Sequence, residues 1–338
     1  MVTPPGGAPR PALRVAVSDA WEGADPARMP WMPALRRGFD VELVAADAGP
    51  DVLFFSDHGT AHFRHRGFKV WFSCENMLPD PLQHDFALTS LHRPGDARHF
   101  RIPEFLYAID APEALVRPDG FDAAAEAAAK RHFCSFVVSN PRGRERNALF
   151  GILDARRGVR SGGRHFNNVG GPVRDKGAFL RECRFAICFE NTEGSGYTTE
   201  KLTDAFLART VPIYWGNPDV ARDFDPRSIV LAHDFPSLEA LADHVLALDR
   251  DESAYRAVLA ASPLRGNAVG PGLRLDGLDA VLRGWFTSGI VPGRRVNRRR
   301  RLREHCYSSP LAQTWHNLRS RTASKMWKLR HALVGTRR

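Results

Sequence analysis

Short apolar runs alternate along the chain with polar segments rich in glycine and proline, a pattern typical of an α/β protein with buried parallel strands. The runs predict strands at 13–17, 41–44, 52–55, 69–73 and 86–90, and again at 133–139, 184–189, 211–215 and 229–232. Helical spacing of apolar residues predicts helices over 123–130, 177–183, 238–248 and 254–261. Two successive Rossmann-like units, each with its own sheet, account for this order.

Residues 185–219, FAICFENTEGSGYTTEKLTDAFLARTVPIYWGNPD, indicate a strand, a polar loop, a short helix and a second strand. Open α/β sheets bind ligands at the carboxyl ends of their strands, where this loop lies. Thr198 or Thr199 is the predicted N-cap of a helix that begins near Glu200. Free N–H groups at that helix end, together with Lys201, could hold a diphosphate. The alternative is that Glu200 only stabilises the helix dipole and Lys201 is a solvated surface lysine.

Three motifs in this stretch carry a resemblance to a known family. They are CFEN (188–191), GYTTEKL (196–202) and VPIYWG (211–216), and their order and spacing resemble the signature of the α-1,3-fucosyltransferases of glycosyltransferase family 10, above all its bacterial members. The likeness continues in FVVSNP at 136–141, in Arg146-Asn147, and in VWFSCEN at 70–76. It covers residues 12–265. Thr198 departs from the family, which commonly has an aliphatic residue there.

The resemblance implies an α/β fold of the GT-B class, in which two Rossmann-like domains face a cleft. We predict a disordered N-terminus (1–11), an acceptor-side domain (12–125), a GDP-fucose-binding domain (126–290) and a basic, helical, amphipathic tail (291–338). The implied activity is inverting transfer of L-fucose from GDP-fucose to a glycan acceptor. By resemblance the acceptor is O3 of N-acetylglucosamine or glucose, in a lipopolysaccharide O-antigen, and the product is α-1,3-linked. A GT-B transferase that uses another nucleotide sugar is the alternative.

The family's site residues can be carried over to matching positions. By resemblance, Arg146 and Lys201 hold the diphosphate, Asn191 and Tyr197 line the nucleotide–sugar site, and Glu200 accepts hydrogen bonds from hydroxyls of the donor sugar. Positive side chains can stabilise a leaving diphosphate in place of a metal ion. The alternative for Arg146 is a solvated loop charge, because Arg142 and Arg144 lie beside it.

Glu75 is the candidate general base. It follows an apolar strand in the first predicted domain, and partial burial there would favour proton uptake by its carboxylate. The resemblance favours this role. The alternative is a carboxylate that caps the following turn.

No essential metal and no cofactor are expected. Asp223 and Asp225, and likewise Asp249 and Asp251, have the spacing of a metal-binding Asp-x-Asp motif, but the sequence favours a structural role, the first pair in a turn and the second at the exit of a helix. The five cysteines form no CxxC pair and are expected to be reduced. Three histidines lie close together in one predicted loop: His58, His62 and His65. We expect ordinary loop histidines; the alternatives are metal ligation and a position at the border of the acceptor site.

Positive charge is concentrated at the C-terminus. The chain has 48 Lys and Arg against 38 Asp and Glu, and residues 294–338 contain 14 of the basic residues and one acid, so the rest is slightly acidic. This distribution argues against a nucleic-acid-binding body. We predict that residues 294–338 bind an anionic membrane surface; an RNA-binding or solubilising tail is the alternative. No apolar run suits a membrane span or a signal peptide, so we expect a cytoplasmic protein, peripheral on the inner membrane.

Overall fold

The computed structural model describes residues 10–80 and 83–287. The strands are β1 (Ala12–Ser18), β2 (Asp40–Leu43), β3 (Val52–Phe55), β4 (Phe68–Ser73), β5 (Phe86–Thr89), β6 (His99–Arg101), β7 (His132–Phe136), β8 (Val159–Ser161), β9 (Cys183–Phe189), β10 (Val211–Trp215) and β11 (Val230–Leu231). The α-helices are α1 (Met32–Gly38), α2 (Ala123–Ala128), α3 (Arg144–Arg157), α4 (Lys176–Arg181), α5 (Glu200–Leu207), α6 (Leu238–Arg250), α7 (Glu252–Ala260), α8 (Pro271–Arg274) and α9 (Leu278–Thr287).

Every predicted strand and helix occurs, and several further elements were not predicted. The largest of these is α3, which buries Arg146, Leu149, Phe150 and Leu153 along one face. Arg146 therefore lies in the first turn of a helix, and the alternative of a solvated loop charge is wrong. The predicted basic tail and most of the predicted disordered N-terminus lie outside the described residues.

The described chain forms two compact units. The first contains the described residues 10–80, 83–89, 93–100 and 275–287; the second contains 90–92 and 101–274. These limits differ from the predicted domain limits at both ends. Residues 101–125 belong to the second unit, where Arg117 N donates to Asn267 Oδ1 at 2.7 Å. Helix α9 belongs to the first, where Trp285 stacks on Phe86 with ring centroids 4.0 Å apart.

The first unit is built on a six-stranded sheet in the order β2-β1-β3-β4-β5-β6, and its pairs from β2 to β5 are parallel. Strand β3 is buried on both faces because its four residues are all apolar. Trp31 stacks on Phe54 on one face, with centroids 3.9 Å apart. Phe55 joins a small apolar cluster on the other face. Helix α1 packs against α9.

The second unit contains a five-stranded parallel sheet in the order β11-β10-β9-β7-β8. Its central strand, β9, is almost entirely buried, and Phe185 and Phe189 belong to the large core that α3, α6 and α7 complete. Since all strands run in one direction, β7, β9 and β10 present their carboxyl ends at one edge. None of the helices in the described ranges is long and apolar enough to cross a membrane.

Candidate active site

The predicted donor residues of the second unit meet at the carboxyl edge of its sheet. Strand β9 ends at Phe189 and leads directly to Glu190 and Asn191, while α5 begins at Glu200 beside them. Thr199 is the N-cap of α5, and its side chain accepts from Lys201 N, as the sequence predicted for this threonine or its neighbour.

Arg146 and Asn191 are in direct contact. The Arg146 guanidinium is completely buried, and its Nη1 donates to Asn191 Oδ1 at 2.6 Å. Its Nη2 donates to Asn140 O at 2.7 Å, whereas its buried Nε has no hydrogen-bond acceptor among the described residues. Burial lowers the pKa of Arg146, and the Glu190 charge opposes that effect. Gly143 leaves room for this side chain, because a Cβ there would lie 2.8 Å from Arg146 Cζ.

Lys201 is held by a carboxylate that the sequence analysis did not select. Glu190 is completely buried, and its Oε2 accepts from Lys201 Nζ at 3.0 Å and from Thr199 Oγ1 at 2.8 Å. Its Oε1 accepts from Thr199 N at 2.7 Å. Lys201 Nζ also donates to Thr199 Oγ1 at 2.8 Å. Three residues thus form a closed network at the start of α5.

The electrostatics of this network favour an ionised lysine. Burial lowers the pKa of Lys201, but the charges of Glu190 and Glu200 outweigh burial and raise it above its usual value. Burial raises the pKa of Glu190, which the Lys201 charge and the Thr199 hydrogen bonds only partly offset. The α5 N-terminus therefore already faces an internal carboxylate, so the expectation that its free N–H groups hold the diphosphate needs correction.

Glu200 and Tyr197 complete the predicted set and differ in exposure. The Glu200 side chain is 37% exposed and lies 3.8 Å from Lys201 Nζ. Burial alone would raise its pKa, but the charges of Lys201 and Lys176 outweigh burial and lower it, so Glu200 is an ionised hydrogen-bond acceptor. Tyr197 is buried, and its carbonyl accepts from Tyr214 Oη at 3.4 Å.

The loop before α5 is fixed by contacts within the second unit. Gly196 has φ +87°, and a Cβ there would lie 2.2 Å from Ser90 O, so this position requires glycine. Thr198 is completely buried, hydrogen-bonds Tyr214 Oη at 3.1 Å and accepts from Asn217 Nδ2 at 3.0 Å. The hydroxyl at this departure from the family pattern thus makes contacts that an aliphatic residue cannot.

Glu75 lies in the first unit, two residues after the end of β4. It is exposed, so the partial burial predicted for it is wrong. Its backbone N donates to Ser73 Oγ at 3.1 Å, and Ser73 Oγ in turn donates to Asp57 Oδ2. Asp57, which the sequence analysis missed, also accepts from Trp71 Nε1 at 2.8 Å. Burial raises the pKa of Asp57, and the nearby Glu75 charge adds to the increase.

The histidine cluster does not form one site. His62 is buried, its Nδ1 lies 2.7 Å from Asp19 Oδ2, and its ring stacks on Phe55, so it belongs to the core of the first unit. His58 is exposed. Within residues 10–80 and 83–287, no group of three or more His, Cys, Asp or Glu side chains is arranged to hold a metal ion.

The two Asp-x-Asp pairs have structural partners, as the sequence analysis favoured. Asp223 accepts two hydrogen bonds from Arg101, at 2.8 and 2.6 Å, and Asp251 caps α7. Asp225 forms a salt bridge with Arg227, and Asp249 forms one with Arg184. The described cysteines are free thiols, and burial raises the pKa of Cys183 to about 11.

Solved structures show which class this fold defines. A crystal structure of an α1,3-fucosyltransferase with GDP is similar over 86% of this chain and 95% of that one, with a TM-score of 0.72 and 26% identity. A crystal structure of an α1,3-fucosyltransferase with GDP-fucose is similar over 85% of this chain and 94% of that one, with a TM-score of 0.71 and 26% identity. The fold is that of the GT-B glycosyltransferases, as predicted.

Family comparisons then identify the family. The model for the C-terminal part of glycosyltransferase family 10 (fucosyltransferase) matches residues 127–260, and the model for the α-(1,3)-fucosyltransferase FucT N-terminal domain matches residues 15–108. Together they match more than half of the chain, which belongs to glycosyltransferase family 10, and the predicted family is confirmed.

Curated relatives match over shorter stretches. The α-(1,3)-fucosyltransferase FucT of Helicobacter pylori is 44% identical over 135 residues, which is 40% of this chain and 28% of the relative. Human α-(1,3)-fucosyltransferase 4 is 40% identical over 93 residues, 26% of this chain and 17% of the relative. The matched segments therefore span less than a third of the length of either relative.

Proposed function

We propose that the protein is an α-1,3-fucosyltransferase that uses GDP-fucose. The observation that carries the proposal is the network in which Arg146 is bound to Asn191, and Lys201 to Glu190 and Thr199, at the edge of the sheet matched by the family model. Two held cations suit a leaving diphosphate, because preorganised positive charge stabilises the charge that develops on it. The names of the relatives and of the solved structures support the donor and the linkage.

Each donor-site residue has a proposed role that its surroundings support. Arg146 and Lys201 bind the diphosphate: Arg146 has a buried N–H without an acceptor among the described residues, and Lys201 is kept charged by its neighbours. Asn191 and Tyr197 line the nucleotide–sugar site. Glu200, a partly exposed and ionised carboxylate, accepts hydrogen bonds from fucose hydroxyls.

The proposed reaction is a single displacement with inversion. The acceptor hydroxyl oxygen bonds to the anomeric carbon of fucose while the bond from that carbon to the β-phosphate oxygen breaks. Glu75 takes the hydroxyl proton and GDP leaves, so a β-linked donor gives an α-linked product. The exposure of Glu75 supports this role, because an exposed carboxylate can contact the acceptor hydroxyl. No essential metal is proposed, and transfer should survive chelation.

For the acceptor we propose O3 of N-acetylglucosamine or glucose in a glycan, of the lipopolysaccharide O-antigen class. The cytoplasmic, inner-membrane location stays a prediction, and so does the role of residues 294–338 on an anionic surface. Cell fractionation of the full chain and of a chain lacking 294–338 tests both: the full chain should sediment with membranes, and the shortened chain should not.

The direct test is a transfer assay with a panel of nucleotide sugars. GDP-fucose should give product with an N-acetylglucosamine- or glucose-containing acceptor, and NMR of the product should show an α-1,3 linkage. GDP-mannose, UDP-glucose and UDP-N-acetylglucosamine should give none. Product from one of these, with none from GDP-fucose, would establish a GT-B transferase for another sugar instead.

Glu75→Gln tests the base separately from the donor site. The amide cannot accept the proton, so transfer should fall by a factor of about 10² or more, the typical contribution of general base catalysis. GDP binding by calorimetry should not change. Glu42→Gln is a matched control, since Glu42 is also an exposed glutamate of the first unit. Transfer by Glu75→Gln at the rate of this control would remove Glu75 from the mechanism.

A further inference from the structure

We propose that Glu190 is a positioning residue of the donor site, and that it acts by fixing the Lys201 ammonium and the Thr199 N-cap in place for a diphosphate. The inference rests on the proposed function, because it gives Lys201 a diphosphate to bind. Nothing in the sequence motif distinguishes Glu190 from an ordinary carboxylate at a strand end.

Glu190 is packed and hydrogen-bonded inside the protein. It is completely buried, and Gly216, with φ +145°, lies against it: a Cβ on Gly216 would be 2.5 Å from Glu190 Cγ. Both of its carboxylate oxygens are used within the protein, by Thr199 and Lys201. A buried carboxylate with this set of donors fixes the groups that donate to it.

One N–H donor of the Lys201 ammonium is used by neither Glu190 nor Thr199. An ammonium has three N–H donors, and Lys201 uses one on Glu190 Oε2 and one on Thr199 Oγ1. Glu200 Oε1 is 3.8 Å away, too far for a hydrogen bond, and the side chain keeps 18% exposure. The two internal bonds thus fix the direction of the third donor. A long, flexible side chain is thereby converted into a fixed ligand for phosphate oxygen.

A neutral side chain at position 190 should release the Lys201 ammonium. In Glu190→Gln, one side-chain oxygen becomes an NH₂ group, which presents donors to the Lys201 ammonium and the Thr199 hydroxyl. The Lys201 ammonium should then lose its fixed direction. We expect GDP affinity to fall about tenfold or more, the loss that accompanies one misplaced hydrogen bond to a charged group. The Michaelis constant for GDP-fucose should rise by a similar factor, whereas guanosine, which lacks the diphosphate, should bind unchanged.

A double-mutant cycle tests whether Glu190 acts through Lys201. GDP binding is measured by calorimetry for the full chain, Glu190→Gln, Lys201→Met and the double variant. The proposal expects Glu190→Gln to cost about tenfold in the presence of Lys201 and less than about twofold in its absence. Equal losses in both backgrounds would show a general structural role and overturn the proposal. Tighter GDP binding by Glu190→Gln would also overturn it, because Glu190 would then act only as a repelling charge.

Controls keep the result interpretable. Ser135→Ala changes another completely buried, hydrogen-bonded side chain of the same sheet, away from the site, and should leave GDP binding unchanged. If Glu190→Gln does not fold, Thr199→Val removes the hydroxyl that joins Glu190 to Lys201 and should weaken GDP binding in the same direction; unchanged binding would overturn the proposal. If Lys201→Met alone leaves GDP binding intact, the proposed donor site fails, which is distinct from failure of the cycle.

Discussion

Replacement of Lys201 by methionine should destabilise the protein in a pH-dependent way. The substitution leaves Glu190, a completely buried carboxylate, without the cation that lies 3.0 Å from its Oε2. At that distance and an effective dielectric constant of about 20, the attraction is about 5.5 kcal/mol. Removing one partner of a buried pair typically costs about 3–5 kcal/mol. For a unit of this size, we expect the melting temperature to fall by about 6–20 °C at pH 8.

The pH dependence follows from the direction of the Glu190 pKa. Burial already raises it above the usual 4.5, and the charge of Lys201 is the largest influence that lowers it. Without Lys201 the pKa rises further. The unfolded chain releases this proton near its ordinary pKa, while the folded variant retains it to higher pH. Stability is therefore present at low pH and is lost as pH rises through the folded pKa, so the deficit should be smaller at pH 5 than at pH 8.

Thermal unfolding of the unmodified chain and of Lys201→Met at both pH values measures this difference. The double variant Glu190→Gln/Lys201→Met carries neither charge, so it should recover much of the stability at pH 8 and its remaining deficit should not depend on pH. A deficit in Lys201→Met of the same size at pH 5 and pH 8 would refute the reasoning, because an uncompensated carboxylate must respond to protonation.

Other substitutions test the surrounding structure by thermal unfolding. Thr198→Val removes a buried hydroxyl that contacts Tyr214 and Asn217, and should cost about 1–3 kcal/mol; a neutral effect would show that the family's aliphatic residue serves equally well. Gly196→Ala forces a Cβ against Ser90 O at a positive φ and should cost more than about 2 kcal/mol, with weaker GDP binding; full stability would contradict the close approach. Trp285→Ala removes a ring stacked on Phe86 and should cost about 3–5 kcal/mol; no loss would contradict the assignment of α9 to the first unit.

Local signals explain which parts of the fold could be predicted from the sequence. Strands β9 and β10 are apolar runs bounded by polar residues, and α5 has a threonine N-cap and an apolar stripe. A few consecutive residues are therefore enough to predict each of these elements. Helix α3 could not be predicted in this way, because the first residue of its buried stripe is the charged residue Arg146. An arginine becomes a core position only when Asn191, 45 residues away along the chain, accepts from it.

Long-range contacts also determined the limits of the two units. Composition changes little at residue 275, yet α9 belongs to the first unit. Its Trp285 stacks on Phe86 there and donates a hydrogen bond to Ala97 O. The exposure of Glu75 was equally inaccessible to sequence reasoning. Its position after an apolar strand suggested burial, but the backbone of Glu75 makes the local contacts, its N donating to Ser73 Oγ and its carbonyl accepting from Met77 N, while the residue is exposed.

Glu190 and Asn191 show why the CFEN motif marks the site even though neither cation belongs to it. Glu190 binds Lys201 and Asn191 binds Arg146, so consecutive residues at the end of one buried strand each hold one cation. Both residues follow directly after Phe189, the last residue of the buried strand β9, so the position of each cation depends on the end of that strand. A diphosphate offers two negative groups at a fixed spacing. Under the proposed function, each of these two neighbouring residues therefore positions one of the two cations that bind the diphosphate.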